Sequence, residues 1–405
     1  MFSVEKSCFQ TVIRSEICLG VKAGGWDLVM MTCRISAFSK FETVIRSLEV
    51  AATKPADTVF SFRAQVLENA AISFLFELGI LDGLVSRQGA EVTAAELAAE
   101  TSSNELLIVR LMRVASALQF CEETSESTYR ATHLTPYLTT PGFKGGLRWT
   151  ETFFPIVSKI PSYLAESDFR LTGGEPTQTA FQFTHGKPAW EVINEPHLRH
   201  EFDLWMRERK KHDERSWHKR YPPSAELAKE SLKTGEDAVL VVDIGGASGS
   251  QLVDFRTQFP GLPGRFVLQD IQPPTMEGVA EGVEVMVYDF FTPQPVRGAR
   301  FYYFRSVFHN WSDEKCAEIL RNVVDAMDPD YSTLLIEDYV LPARETQLRG
   351  AVEDILMMVV LNSLERTAKQ YEDILHAAGL DIVNIYAVGA NEEGIIEARI
   401  TKGRW

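Results

Sequence analysis

The sequence predicts an α/β protein in which a doubly wound, mostly parallel sheet follows a smaller helical module. Three observations predict it. In residues 236–405, short β-branched and aromatic runs alternate with stretches of helical periodicity. The first of these runs, 238–242, leads into Asp243 and a glycine-rich turn, and a helical segment follows directly. Upstream, residues 62–131 read as helix, helix and hairpin, the order of a winged helix-turn-helix.

Taken in order, residues 1–58 have weak periodicity and no motif, and read as an arm or helix that packs on a partner. Residues 59–148 form the winged-helix-like module. Phe62, Val66, Ala70, Phe74 and Leu78 recur every four residues, one apolar helix face that stops at Gly79. Thr93 and Glu96 have the spacing of a capping box, and Ser103 or Asn104 can cap the next helix, with Leu107, Leu111, Val114 and Leu118 inside. Residues 120–123 and 128–131 make a hairpin across a polar turn, and 142–146, with three glycines, read as a flexible join. A winged helix invites a DNA-binding reading, but residues 59–138 hold five arginines and no lysine against ten acidic residues. A DNA reader needs a basic stripe, so packing or dimerisation is the expected role.

Residues 149–235 are helical and rich in aromatics, among them Phe153, Phe154, Tyr163, Phe181, Trp190, Trp205 and Trp217, with Met206 between them. Such a set suits either a substrate-lining region for a flat apolar ligand, for which Phe181, Trp190 and Met206 are candidates, or ordinary helix packing. His197 and His200 stand beside Arg199 and Arg207, which suits a solvated basic face better than a metal site. Pro222–Pro223 punctuates the chain before the last domain, 236–405. There, strands are expected at 238–242, 265–269, 283–287, 301–304 and 332–337, and helices at 250–259, 313–327, 348–363 and 367–378. Strands near 381–388 and 395–401 close the sheet with an antiparallel edge.

The bulk properties exclude several classes. A net charge of −15 over 405 residues argues against nucleic acid or an anionic membrane as partner. The five cysteines are scattered without a C-x-x-C, which suits a reducing compartment and gives neither a disulfide framework nor a metal site. No apolar run approaches the roughly 20 residues of a membrane span. Glu5, Lys6, Arg14 and Glu16 interrupt the N-terminal stretch that a secretory signal needs, so a cytoplasmic protein is expected.

The glycine turn narrows the ligand. A dinucleotide fingerprint requires G-x-G-x-x-G, but counting from Gly245 the third position is Ala247 and the sixth is Ser250. No G-K-[ST] follows either, so a P-loop fails. What remains is Asp243-x-Gly245-x-x-x-Gly249, with Gly246 also in the turn. A carboxylate at a strand end, with no pyrophosphate to cradle, suits a ligand bearing an ammonium group such as S-adenosylmethionine (SAM). Asp270 ends the next strand, where a carboxylate can accept both ribose hydroxyls. Asp289 and Phe290 follow the third strand, an acidic and apolar pair suited to the edge and face of adenine.

At the fourth strand the chain reads FYYFRSVFHNWSDEKC, residues 301–316. With its H-x-W-x-D (His309, Trp311, Asp313) and the later E-R-T (Glu365, Arg366, Thr367), it resembles the class I SAM-dependent O-methyltransferases of the caffeate and flavonoid type, in their fungal secondary-metabolite branch. The resemblance runs from about 62 to 400. It implies a Rossmann-like SAM-binding domain behind a winged-helix dimerisation domain, a homodimer, and a hydroxylated aromatic or polyketide substrate. It implies His309 as the general base that deprotonates a phenol or enol, a task suited to a histidine titrating near working pH. By the same likeness Glu337 and Glu365 flank that histidine, Arg305 and Trp311 line the cofactor pocket, and Asp354 lies near the substrate. Asn310 departs from the commoner H-D-W and removes a charge beside the base. Such a fold can also hold SAM without spending its methyl and catalyse a rearrangement, cyclisation or dehydration; the presence of His309, Glu337 and Glu365 together favours methyl transfer.

Overall fold

The computed structural model describes residues 44–45, 47–166, 168–169, 178–211, 217–221, 232–272, 282–386 and 393–403. Most of the N-terminal arm and the Pro222–Pro223 break lie outside the described residues. The first module comprises α1 (Pro55–Glu77), α2 (Ile80–Ser86), β1 (Val92–Thr93), α3 (Ala94–Thr101), α4 (Glu105–Ala117), β2 (Cys121–Ser125), β3 (Thr128–Ala131) and α5 (Thr135–Leu138). Proline at its start and left-handed Gly79 (φ 66°) just beyond its end delimit α1. The Thr93–Glu96 capping box opens α3 with both reciprocal bonds, and Asn104 caps α4 by accepting from the Leu107 N–H. The three strands form an antiparallel wing in the order β1–β3–β2.

Two expectations change here. Leu107 is 44% exposed, because the buried face of α4 is Ile108, Leu111, Met112 and Ala115. On α1 the inward residues are Ala71, Ile72 and Leu75, while Phe62, Val66 and Phe74 are exposed at 75%, 56% and 60%. The four-residue apolar stripe is real, but no described residue covers Phe62, Val66 or Phe74.

The join expected at 142–146 is instead the middle of a helix, α6 (Pro141–Glu151). Its glycines mark close approach to a later helix. A Cβ on Gly145 would lie 2.3 Å from the Glu201 carbonyl oxygen, and one on Gly146 would lie 2.6 Å from the Trp205 ring. Helix propensity made these glycines look like a break, and packing overrode it. After α7 (Phe154–Glu166), α8 (Ala180–His185) and α9 (Ala189–Ile193) comes α10 (Pro196–Lys211), the helix that seats on α6, and then α11 (Trp217–Arg220).

The sheet domain contains β4 (Val239–Ile244), α12 (Ser250–Gln258), β5 (Arg265–Asp270), β6 (Val283–Val287), β7 (Phe301–Arg305), α13 (Asp313–Val324), β8 (Thr333–Leu341), α14 (Leu348–Leu361), β9 (Arg366–Thr367), α15 (Ala368–Ala377), β10 (Leu380–Tyr386) and β11 (Glu393–Ile400). The order is β10–β11–β8–β7–β4–β5–β6, with β9 paired to β8. Strands β6, β5, β4, β7 and β8 run parallel, β11 is antiparallel to β8, and β10 is antiparallel to β11. The α/β fold, with its parallel sheet and antiparallel C-terminal edge, is as the sequence predicts. Every residue of β4 is buried, as a central parallel strand covered on both faces requires.

One face of the sheet packs Tyr302, Phe304, Leu334 and Ile336 against Phe308, Cys316 and Tyr371. The other packs Val241, Tyr303 and Leu335 against Trp217 and Phe255. A third cluster joins Trp149, Ile156, Phe181 and Ile193 to Val359 and Val360 of α14, seating the aromatic helices on the sheet domain. Among the described residues no single helix is long and apolar enough to cross a membrane; α1 and α2 pass such a test only as a pair bent by 62°.

Candidate active site

Successive strands leave β4 in opposite directions, to β5 and β6 on one side and to β7 and β8 on the other. The crevice where the order reverses lies beyond the carboxyl ends of β4 and β7, the general ligand position of open α/β sheets. The glycine turn opens it. Gly245 and Gly249 have φ of 74° and 70°, a left-handed backbone that glycine adopts without strain. A Cβ on Gly246 would sit 2.6 Å from Asp243 Oδ2 and 2.4 Å from Leu268 Cδ1. No side chain can stand between this turn and the end of β4.

The turn's N–H groups are already committed. Those of Gly245 and Gly246 donate to the Gln269 carbonyl at 2.7 and 3.2 Å, and that of Ala247 donates to Asp270 Oδ2 at 3.0 Å. A phosphate cradle needs such groups pointing outward, so this turn does not hold a pyrophosphate. The crevice instead offers acids: Asp243, 1% exposed, Asp270 and Asp289, at or just beyond the ends of β4, β5 and β6. A donor set of carboxylates beside a turn that only glycine fits is the chemistry a cationic, nucleoside-bearing group such as SAM requires. The ends of the crevice are tied together as well. Asp270 Oδ1 accepts from the Gln272 N–H, and Asp289 Oδ1 from the Phe291 N–H, each at 3.0 Å. Phe290 meets Trp311 edge-on at 5.9 Å, and Phe291 meets it at 4.8 Å. The two aromatic residues read from distant motifs, Phe290 and Trp311, therefore share one wall.

His309 lies on the loop after β7, in a single 3₁₀ turn, Phe308–Asn310, anchored by the fully buried Phe308 ring. The loop is clamped from several sides. Asn310 Nδ2 donates to the carbonyl of left-handed Ser306 at 2.8 Å. The Ser363 hydroxyl donates to the His309 carbonyl at 2.5 Å, and the buried Arg366 donates to the carbonyls of Phe308 and Trp311 at 2.9 and 2.7 Å. The imidazole Nδ1 meets Glu365 Oε1 at 2.8 Å. A carboxylate there makes Nδ1 the protonated nitrogen and leaves Nε2 as the ring atom able to take a proton. Glu365 is itself held, its N–H donating to Asp354 Oδ1 at 2.9 Å. Asp354 thus orients the histidine's carboxylate through the backbone.

The second carboxylate beside the histidine is Asp338, a residue the sequence reading did not single out. Its Oδ2 accepts from the His309 N–H at 3.3 Å and from the Tyr371 hydroxyl at 2.9 Å. Glu337 is elsewhere. Neighbouring strand residues point to opposite faces, and Glu337 shares the Tyr303 and Leu335 side of β8, away from Tyr371. There it accepts the Tyr303 hydroxyl and stands 3.4 Å from Arg305 Nε. Arg305 also pairs with Glu393 at 2.7 Å, so it bridges two carboxylates. Both positions of the Glu337–Asp338 pair are buried, so hydropathy could not say which acid faces which side.

Burial opposes the imidazolium of His309, but the carboxylates of Asp338, Glu365 and Glu393 outweigh it and push the group up to about 9. Burial lifts Asp338 to about 7; Glu365 and Glu393 add to that rise, and His309 and Tyr371 resist it. The free protein therefore holds a proton on this cluster at neutral pH, where an ordinary histidine has largely lost it. This corrects the expectation of a base titrating near working pH.

The proposed substrate residues differ in their surroundings. Phe181 is fully buried, stacked on Trp149 at 6.0 Å and 4.5 Å from the His185 ring, which is core packing. Trp190 is 40% exposed on α9, and Met206 is half-buried on α10.

Comparison with known proteins agrees with this geometry. Residues 64–141 match the O-methyltransferase dimerisation domain and residues 170–381 the O-methyltransferase domain. The demethylsterigmatocystin 6-O-methyltransferase of Aspergillus flavus is 32% identical over 360 residues, covering 87% of this chain and 91% of that protein. The solved structure of LepI in complex with SAM superposes with a TM-score of 0.81 at 26% identity, covering 99% of this chain and 100% of that one. A structure described as a pericyclic reaction enzyme superposes at 0.80 with 26% identity, over 98% and 99% of the two chains. On these matches, and on the acidic glycine turn beside a carboxylate-held histidine, the chain belongs to the O-methyltransferase family and is a SAM-dependent enzyme.

Proposed function

We propose that the enzyme methylates a phenolic or enolic hydroxyl of an aromatic or polyketide-type secondary metabolite, with His309 as general base. The observation that carries this reading is the 2.8 Å contact between His309 Nδ1 and Glu365, at the carboxyl end of the sheet where its strand order reverses. Bound there, SAM supplies an electrophilic methyl on a sulfonium. The chain's own part is to hold the acceptor oxygen in line and take its proton on Nε2, with Glu365 stabilising the imidazolium that results. The base is the unprotonated fraction of His309, which grows as pH rises through about 9. Glu365 and Asp338 orient the base, Asp354 holds Glu365, and Glu337 acts at a distance through Arg305 and Tyr303. For the cofactor, Asp243 takes the ammonium end, Gly245, Gly246 and Gly249 admit it, Asp270 takes the ribose, and Asp289, Phe290 and Trp311 enclose the adenine. Arg305, between Glu337 and Glu393, stiffens the end of β7. Trp190 and Met206 are the remaining candidates for the substrate wall.

The exposed stripe of α1 (Phe62, Val66, Phe74) supports a homodimer built through residues 59–148, with 149–235 lining the substrate region and 236–405 carrying the chemistry. A cytoplasmic location suits the sparse cysteines, of which Cys121 and Cys316 are free.

The likeness to a pericyclic reaction enzyme favours one second reading, in which SAM stays intact while the pocket steers a rearrangement. One assay separates the two. Hydroxylated aromatics are screened with methyl-labelled SAM, and methyl transfer yields one S-adenosylhomocysteine (SAH) per product. Product formed without SAH overturns the methyltransferase reading.

A further inference from the structure

Deep in the sheet domain, two glutamines face each other with their amides fully paired. Gln269 and Gln294 are 0% and 3% exposed. Gln269 Nε2 donates to Gln294 Oε1 at 2.8 Å, and Gln294 Nε2 donates back to Gln269 Oε1 at 2.9 Å. Gln294 Oε1 also accepts the Val296 N–H at 3.0 Å, and Gln269 Nε2 lies 3.3 Å from Met286 Sδ. Burying two amides where apolar residues would pack costs free energy unless every group finds a partner. This pair meets that condition and needs a reason to exist.

Its position supplies one. The Gln269 carbonyl receives the N–H groups of Gly245 and Gly246, so this one residue holds the glycine turn with its backbone. The next residue, Asp270, holds Ala247 through its carboxylate and accepts the Tyr288 N–H at its carbonyl. Gln294 lies midway along the loop that carries Asp289 and Phe290, a loop also fastened by Tyr288 Oη to the Thr292 carbonyl at 2.8 Å and by Asn322 Nδ2 to the Phe290 carbonyl at 3.0 Å. The amide pair is thus the side-chain link between the ribose end and the adenine end of the crevice. Two parallel hydrogen bonds fix both separation and register, whereas an apolar contact in the same place fixes neither.

We infer that Gln269 and Gln294 are positioning residues for the adenosine half of the cofactor, locking the Asp289–Phe290 loop at a set distance from the glycine turn and Asp270. The inference rests on the assignment of that crevice to SAM. The test compares SAH affinity by calorimetry with thermal stability in Gln269→Leu, Gln294→Leu, the double variant and Asp270→Ala. Each single change strands a buried amide and lowers the melting temperature. The double change leaves no side-chain amide to strand, only the Val296 N–H that Gln294 accepted, so stability returns part of the way toward wild type. A purely structural pair regains SAH affinity at that point. The positioning role predicts that SAH binding stays weakened in the double variant, on the order of tenfold. Recovery of both stability and affinity in the double variant overturns the inference while leaving the cofactor site in place. Unchanged affinity in Asp270→Ala removes the site assignment itself. If the leucine double does not fold, the unbranched Gln269→Met, Gln294→Met pair carries the same comparison.

Discussion

Asp338→Asn isolates the charge that distinguishes His309 from an ordinary histidine. The amide keeps the side chain's shape and retains a carbonyl to accept the His309 N–H and the Tyr371 hydroxyl, which now meet at Oδ2 at 3.3 and 2.9 Å. What disappears is a negative charge that is largely formed above about pH 7. Two unit charges roughly 6 Å apart at an effective dielectric near ~20 interact by roughly 3 kcal/mol, or about two pKa units. Glu365 and Glu393 remain, so the net fall is about one to two units. His309 should then titrate between about 7 and 8, below the value of about 9 in the intact protein. The assay is an NMR titration of histidine-labelled protein with SAH bound, the resonance being assigned with His309→Gln. In kinetics, a base works when unprotonated, so kcat/KM of the wild type climbs with pH through about 9, and the variant's limb moves to lower pH by the same amount. A midpoint that stays near 9 in a variant of unchanged melting temperature would refute the electrostatic account of this site.

Three further outcomes follow from the same contacts. His309→Ala lowers kcat by about 10²- to 10⁴-fold, the usual worth of a general base, while SAH affinity by calorimetry stays within about twofold; surviving activity removes the base assignment. Gly145→Ala places a methyl 2.3 Å from the Glu201 carbonyl and must part α6 from α10, costing about 1–3 kcal/mol in chemical denaturation, where a truly flexible join would show no loss. Phe62→Glu puts a charge into the exposed stripe of α1 and converts the proposed dimer to monomers in light scattering; a dimer mass that survives the change places the interface elsewhere.

How much of the site was legible depended on whether its signal was local. The glycine turn, Asp270 and the Asp289–Phe290 pair announce themselves by position at strand ends, where chain direction alone aims them at the crevice, whereas Trp311 was placed by the family motif. The capping box at Thr93 was equally local, a side chain and a backbone group three residues apart. Arg366 belonged to a recognised motif, yet its work as a clamp on the Phe308 and Trp311 carbonyls depends on a loop more than fifty residues away. Asn310, a departure from the commoner aspartate, proves to be a donor to the Ser306 carbonyl, a bond an ionised aspartate cannot make.

By itself, the sequence determined the alternation of strands and helices, the winged module, the acidic glycine turn and the motif that carries His309. Each of these is written in periodicity or in short motifs, whose physics acts over a few residues. Only the tertiary structure decided that Asp338 and not Glu337 faces His309, that three glycines bring α6 against α10, and that α1 leaves its aromatic stripe open. Those outcomes turn on which face of a buried strand a side chain takes and on how closely distant helices approach. Neither is encoded in hydropathy when both faces of the strand are buried.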